Sequence, residues 1–182
     1  MKETTSAVKR NMKERDINVS KEVTAIAICA VFIALTYVAT AFINIRLPIQ
    51  ANGGLIHLGN VPLFIAAAFF GKRTGAIAGG FGMALFDLTS GWTAWAPFTF
   101  IIVGVMGFVY GLVAGKKPTL LKLLFATVLV LIVKVGGYYV AEALIYGNWV
   151  APAASISGNV VQILTGAVVA IPVIIGGEKC IN

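Results

Sequence analysis

Residues 56–91 read IHLGNVPLFIAAAFFGKRTGAIAGGFGMALFDLTSG. Two apolar runs, about 55–70 and 74–88, meet at the turn Gly71-Lys72-Arg73-Thr74-Gly75. Both runs are short, since a span needs ~20 apolar residues with a range of about 17 to 25. The turn between them is tight and basic. Lys and Arg near span ends mark the cytoplasmic side. The segment therefore reads as a membrane hairpin that enters from outside, turns inside and returns.

The rest of the chain repeats this pattern. Span one is Val23–Ile45, closed by Arg46-Leu47-Pro48 and an outer loop through Ala51-Asn52-Gly53-Gly54. Span four is about Ala94–Ala114, with Pro97 in its first turn, where proline is tolerated. Gly115-Lys116-Lys117-Pro118 is a second inner turn, and span five runs about Thr119–Tyr146. Gly147-Asn148-Trp149 opens the last outer loop, and span six runs about Ser155–Ile175 before Gly176-Gly177-Glu178-Lys179. Of the 14 Lys and Arg, 12 then fall inside: Lys2, Lys9, Arg10, Lys13, Arg15, Lys21, Lys72, Arg73, Lys116, Lys117, Lys122 and Lys179. Only Arg46 falls outside, and only Lys134 within a span. The expectation is an all-α membrane protein of six transmembrane helices in a compact bundle, N and C termini cytoplasmic. Residues 1–20 form a cytoplasmic tail, mobile or helical, and 21–182 the membrane domain.

Composition agrees. The 182 residues are 59% hydrophobic and 12% charged, with mean hydropathy +0.93; a soluble domain carries roughly twice that charged fraction. No GxxxxGK[ST] motif occurs, so an ATPase motor would be another protein. The net charge of +7 is explained by the orientation of short turns and needs no nucleic acid. Cys29 and Cys180 form no CxxC pair and read as reduced thiols. Residues 1–22 are polar and the apolar run after them is too long for a cleaved signal core.

Small residues recur at four-residue spacing: Gly71, Gly75, Gly79; Gly107, Gly111, Gly115; and Ala30 with Ala34. Such spacing lets helix backbones approach, within one bundle or against a partner.

Polar groups within the spans lie toward the outer half: His57 and Asn60, Asp87, Trp92 to Trp95, Tyr138 to Tyr146, and Ser155 to Gln162. Lys134 lies near the middle, and the inner half has almost no ionisable side chain. A charged group in a span costs ~2.5–3.5 kcal/mol on insertion scales and marks a candidate site. Lys134, Tyr138 and Glu142 share one helical face, and Ser155, Asn159 and Gln162 share another. A short loop makes these faces neighbours. Trp92, Trp95, Tyr138 and Tyr139 can supply flat walls. This set suits a small, planar, polar ligand. Structural alternatives stand beside it: Trp92, Trp95 and Trp149 as an interfacial belt, Asp87 as a helix-end cap or a partner of Lys134. A single His gives no ground for a metal site, and no catalytic set stands out.

With these residues in view, the chain resembles the substrate-binding S components of energy-coupling factor (ECF) vitamin transporters. The likeness covers about residues 20–177 and rests on the six-span size, the Ala30/Ala34 pair, the stretch quoted above and WAPFTFIIVGVMGFVYG at 95–111. It is closest to the subgroup assigned to hydroxymethylpyrimidine or pyridoxine uptake. The resemblance implies a non-enzymatic subunit of a bacterial cell membrane that binds a vitamin at its outer side, beneath the loop between spans one and two. It implies docking, through small residues of span one matching Ala30 and Ala34, on a transmembrane coupling protein (T component) with two ABC ATPases. ATP is used by those partners and no cofactor by this chain. Similar thiamine-binding members place a Lys of span five and an Asn early in span six at the site, matching Lys134 and Asn159. Their acidic residue in span four has no counterpart between Phe98 and Phe108, which puts thiamine itself in doubt. The candidate substrate-binding set is therefore Lys134, Tyr138, Glu142, Asn159, Gln162, Asp87, Trp95, His57 and Asn60. The alternative function is a stand-alone small-solute carrier or channel, against which the apolar inner half argues.

Overall fold

The computed structural model describes residues 2–46 and 54–181. Leu47, Pro48 and the loop residues Ala51 to Gly53 lie outside the described residues. Six helices follow in order: α1 Lys2–Phe42, α2 Asn60–Phe70, α3 Lys72–Thr89, α4 Ala96–Ala114, α5 Leu120–Tyr146 and α6 Ala153–Ile181. Between α1 and α2 stands a small antiparallel hairpin, β1 Asn44–Arg46 and β2 Leu55–His57, with Asn44 opposite His57 and Arg46 opposite Leu55.

Two sequence expectations need correction here. The apolar run 55–70 is not one helix: its first residues form β2, and only the last 11 form α2. Span one likewise ends at Phe42, and Asn44–Arg46 pairs with β2. A three-residue stretch looks the same to hydropathy whether it extends or coils. What distinguishes them is a strand partner supplied from beyond the loop. Pro62 falls in the first turn of α2, where no backbone donor is lost.

Among the described residues four helices are long and apolar enough to cross a bilayer: Ile17–Phe42, Ala96–Ala114, Leu120–Tyr146 and Ala153–Cys180. At 1.5 Å per residue α2 is about 16 Å long, half of a ~30 Å hydrocarbon core. Charge marks both ends of α3, with Lys72 and Arg73 at one and Asp87 at the other.

The long helices form a chain of neighbours in which α1 packs on α3, α3 on α4, α4 on α5 and α5 on α6. The short α2 fills the middle, touching α1, α3, α4 and α6. Its Leu63, Phe64, Ala66 and Ala67 are wholly buried. Phe64 stacks on Tyr110 of α4 with ring centres 4.3 Å apart and planes 11° from parallel. The glycine pattern is internal packing between α3 and α4. A Cβ on Gly107 would lie 2.2 Å from the Gly75 carbonyl oxygen, and one on Gly111 would lie 2.6 Å from the Lys72 backbone. Gly71 and Gly115 serve instead in the turns, at φ +89° and +62°, where side chains with a Cβ are strained.

In its apolar 18-residue window only 11% of the Ile17–Phe42 helix is buried, against 28–44% for the corresponding windows of α4, α5 and α6. Ala30 and Ala34 both lie on its exposed side.

Candidate functional site

The polar residues of the spans collect beneath the hairpin. A cavity with about 310 Å³ of empty space is lined by Thr40 of α1, Leu55 and His57 of β2, Met83, Phe86 and Asp87 of α3, Trp92, Thr99 of α4 and Tyr138 of α5. Five elements and the α3–α4 turn thus each contribute a wall. Asp87 reaches it because it is in the last turn of α3, and Thr99 because it is in the first turn of α4. The chain reverses between them through Gly91 at φ +86°.

One hydrogen-bonded line organises the floor. The Tyr138 hydroxyl donates to Thr99 Oγ1 at 3.0 Å, and Thr99 lines the cavity together with the Asp87 carboxylate. Asp87 Oδ2 remains buried with no hydrogen-bond partner among the described residues. Lys134, one turn from Tyr138 and 1% exposed, holds its Nζ 5.1 Å from the centre of the Tyr138 ring. It is within electrostatic reach of both Asp87 and His57. Burial first, and the Lys134 charge second, lower the His57 imidazole to about 3, so it is neutral at physiological pH. His57 Nδ1 accepts from the Gly59 backbone N–H at 3.2 Å, which leaves Nε2 as the site of the ring proton.

A second polar group joins the hairpin to α6. Gln162 Nε2 donates to the Leu55 carbonyl at 2.5 Å, and Asn60 Nδ2 donates to the Gln162 carbonyl at 3.2 Å. The other amide oxygens, Asn60 Oδ1, Gln162 Oε1 and Asn159 Oδ1, are buried without a partner among the described residues. Buried polar atoms are normally bonded to protein, water or ligand, so this seam offers acceptors to a donor that is not protein.

The nine sequence candidates therefore separate. His57, Asp87 and Tyr138 line the cavity, and Lys134 stands behind Tyr138. Asn60, Asn159 and Gln162 are buried, and of these Asn60 and Gln162 form the seam between β2, α2 and α6. Glu142 is engaged elsewhere: the Ser155 hydroxyl lies 2.8 Å and 2.7 Å from its two oxygens, tying α5 to α6. Trp95 packs edge-to-face between Trp92 and Tyr146 at 5.0 and 6.0 Å, and its buried Nε1 has no partner among the described residues. Thr40, Met83, Phe86 and Thr99 were not among the candidates. The pair Thr36 and Thr40, one turn apart in an apolar helix and 0% and 1% exposed, was the available signal for α1. Nothing in the spacing marks Met83.

Leu63, Phe64, Met106, Tyr110 and Leu123, all 0% exposed, belong to the apolar core of the bundle.

Comparison with known proteins gives concordant results. A family model of the ECF-type riboflavin transporter S component matches residues 20–179. The chain is 35% identical over 151 residues to the thiamine precursor transporter HmpT of Lactococcus lactis subsp. cremoris, covering 83% of this chain and 86% of that protein. It is also 35% identical over 125 residues to an uncharacterized protein in the gap 3' region of Pyrococcus woesei, covering 69% and 83% respectively. In fold it is similar to the solved structure of the S component of a bacterial ECF transporter, with TM-score 0.66 at 17% identity over 88% of this chain and 99% of that one.

Proposed function

The chain belongs to the family of ECF-type riboflavin transporter S components, and on that premise we propose that it is the substrate-specificity subunit of an ATP-driven importer for a single-ring vitamin precursor of the hydroxymethylpyrimidine type. Its four long apolar helices and its family make it a membrane protein. In our reading all six helices cross or enter the cell membrane, with the basic turns and both termini in the cytoplasm and the hairpin at the outer face. The subunit is not an enzyme. It binds its ligand outside and delivers it by docking on a T component with two ABC ATPases, through the exposed Ala30 and Ala34 side of α1.

The observation that carries the ligand class is the Asp87 carboxylate: buried, aimed into the cavity, with one oxygen unpaired. An aminopyrimidine bearing a hydroxymethyl group has amine and hydroxyl donors for that oxygen and for the Asn60–Gln162 seam. Trp92 and Phe86 offer faces for the ring. The thiamine precursor transporter relative points the same way, whereas pyridoxine has no such support.

The test is equilibrium binding by the purified subunit of hydroxymethylpyrimidine, pyridoxine and riboflavin, with mass spectrometry of the co-purified ligand. Hydroxymethylpyrimidine should bind best. Asp87→Asn turns an amine toward the ligand's donors and should weaken binding by about 5- to 150-fold, the equivalent of ~1–3 kcal/mol for an unsatisfied buried group. Preferential binding of riboflavin, or a folded Asp87→Asn protein with unchanged affinity, would overturn the assignment. Uptake into liposomes without an ATPase would replace the importer subunit with a stand-alone carrier.

A further inference from the structure

Between α3 and α4 lies an open groove with about 750 Å³ of empty space. Ala76, Ile77 and Phe81 form one wall, and Gly104, Val105 and Phe108 the other. Unlike Gly107, which is locked against Gly75, Gly104 faces open space: an added Cβ would meet nothing nearer than the Ala76 carbonyl at 3.7 Å. The far end is closed by Phe81 and Phe100, whose rings meet edge-on at 4.9 Å. At the near end Lys72 holds its Nζ 5.0 Å from the centre of the Phe108 ring, and Arg73 adjoins it in the first turn of α3. The groove thus has an anchored cation at one end and an apolar trench behind it.

Its length selects the occupant. Lys72 to Phe81 is nine residues of helix, about 14 Å at 1.5 Å per residue. That is close to half of a ~30 Å hydrocarbon core, the depth of one leaflet. A partner helix crossing the whole membrane would need a trench that continued past the Phe81–Phe100 pair. We propose that this groove is a binding site for one anionic phospholipid of the leaflet on the basic-turn side. An acyl chain lies along Gly104, and the phosphate group sits at Lys72 and Arg73. The proposal needs the chain to be membrane-embedded but does not depend on the identity of the transported ligand.

Native mass spectrometry of the purified full-length chain, titrated with phosphatidylglycerol or phosphatidylcholine, tests it. A single phosphatidylglycerol should bind at least about fivefold tighter than phosphatidylcholine, since a cation near an anionic headgroup is worth about that factor. Lys72→Gln should remove about fivefold of the phosphatidylglycerol affinity and leave phosphatidylcholine unchanged. Gly104→Leu, which fills the trench, should weaken both lipids. Lys21→Gln, exposed on α1, should change neither. Equal binding of the two lipids overturns the site, and so does an equal loss in Lys21→Gln and Lys72→Gln, which would mean general surface charge. Unchanged lipid binding in Gly104→Leu, with uptake lost, would give the groove to a partner helix instead. Lys72 is exposed, so its substitution leaves the packing intact. If Gly104→Leu fails to yield monodisperse protein, the Lys72→Gln and Lys21→Gln pair decides alone.

Discussion

Replacing Gly107 with alanine tests the seam on which both the cavity and the bundle rest. The new Cβ would lie 2.2 Å from the Gly75 carbonyl oxygen, 2.4 Å from its carbon and 2.7 Å from the Ala76 nitrogen. Ordinary contact begins near 3.4 Å, so α3 and α4 must part by 1.2 Å at this point. The obstacle is backbone on both sides, so no side chain can rotate away. Overpacking of this kind costs about 1–3 kcal/mol. At roughly 2–4 °C per kcal/mol for a chain of this size, the apparent melting temperature of the purified subunit should fall by roughly 2–12 °C. Asp87 and Thr99 belong to the same two helices, so ligand affinity should fall as well. Gly104→Ala, three residues earlier on the same helix, is the control. Its nearest contact would be 3.7 Å, and it should melt within about 0.5 kcal/mol of the parent, as open sites do. Equal melting of the two variants would refute the argument that α3 and α4 touch through Gly75 and Gly107.

Four further outcomes are expected. Ala34→Trp should abolish uptake while the isolated subunit still binds ligand, and parallel loss of both would place Ala34 inside the bundle. Ser155→Ala removes the hydroxyl between the two oxygens of the buried Glu142 and should destabilise by ~1–3 kcal/mol; a neutral result in thermal unfolding would show that the α5–α6 tie is unimportant. His57 has its imidazole lowered to about 3 in the fold, while an unfolded His protonates near 6.5. Stability should therefore fall as pH drops from about 6.5 toward 3 and be insensitive to this group above 6.5. His57→Asn should flatten that slope, and a slope unchanged in the variant would remove His57 as its source. A cysteine at Asn148 should react with an impermeant thiol reagent in intact cells and one at Lys116 should not; the reverse pattern would invert the topology.

Hydropathy located the long helices because their ends are chemical events. Expected limits of 94–114 and 119–146 met α4 at Ala96–Ala114 and α5 at Leu120–Tyr146, where Pro97, Gly115, Thr119 and Gly147 punctuate the chain. The hairpin was illegible because Leu55–His57 carries no strand signal of its own. Its state depends on Asn44–Arg46 across a loop. Helical phase correctly put Lys134, Tyr138 and Glu142 on one buried face, 1%, 2% and 0% exposed. Yet that face spans about 12 Å of helix, and the cavity meets it at one level. Only Tyr138 lines the cavity; Glu142 turns to Ser155 on α6. Phase gives direction around a helix, and only the neighbours decide what each level of it meets.

The near-solitude of α1 has an evolutionary consequence. It spends one narrow face, around Thr36 and Thr40, on the bundle. Residues such as Ala30, Ala34 and Leu35 on its other side contribute little to folding, and exposed substitutions of this sort cost within about ±0.5 kcal/mol. Under the proposed function, selection on that side acts through the docking partner, while selection on Asp87, Thr99 and Tyr138 acts through the ligand. The two surfaces can diverge at separate rates. Paralogues that exchange one ligand for another would keep the outer face of α1 alike wherever they share a motor, and a change of motor would rewrite that face and leave the cavity untouched.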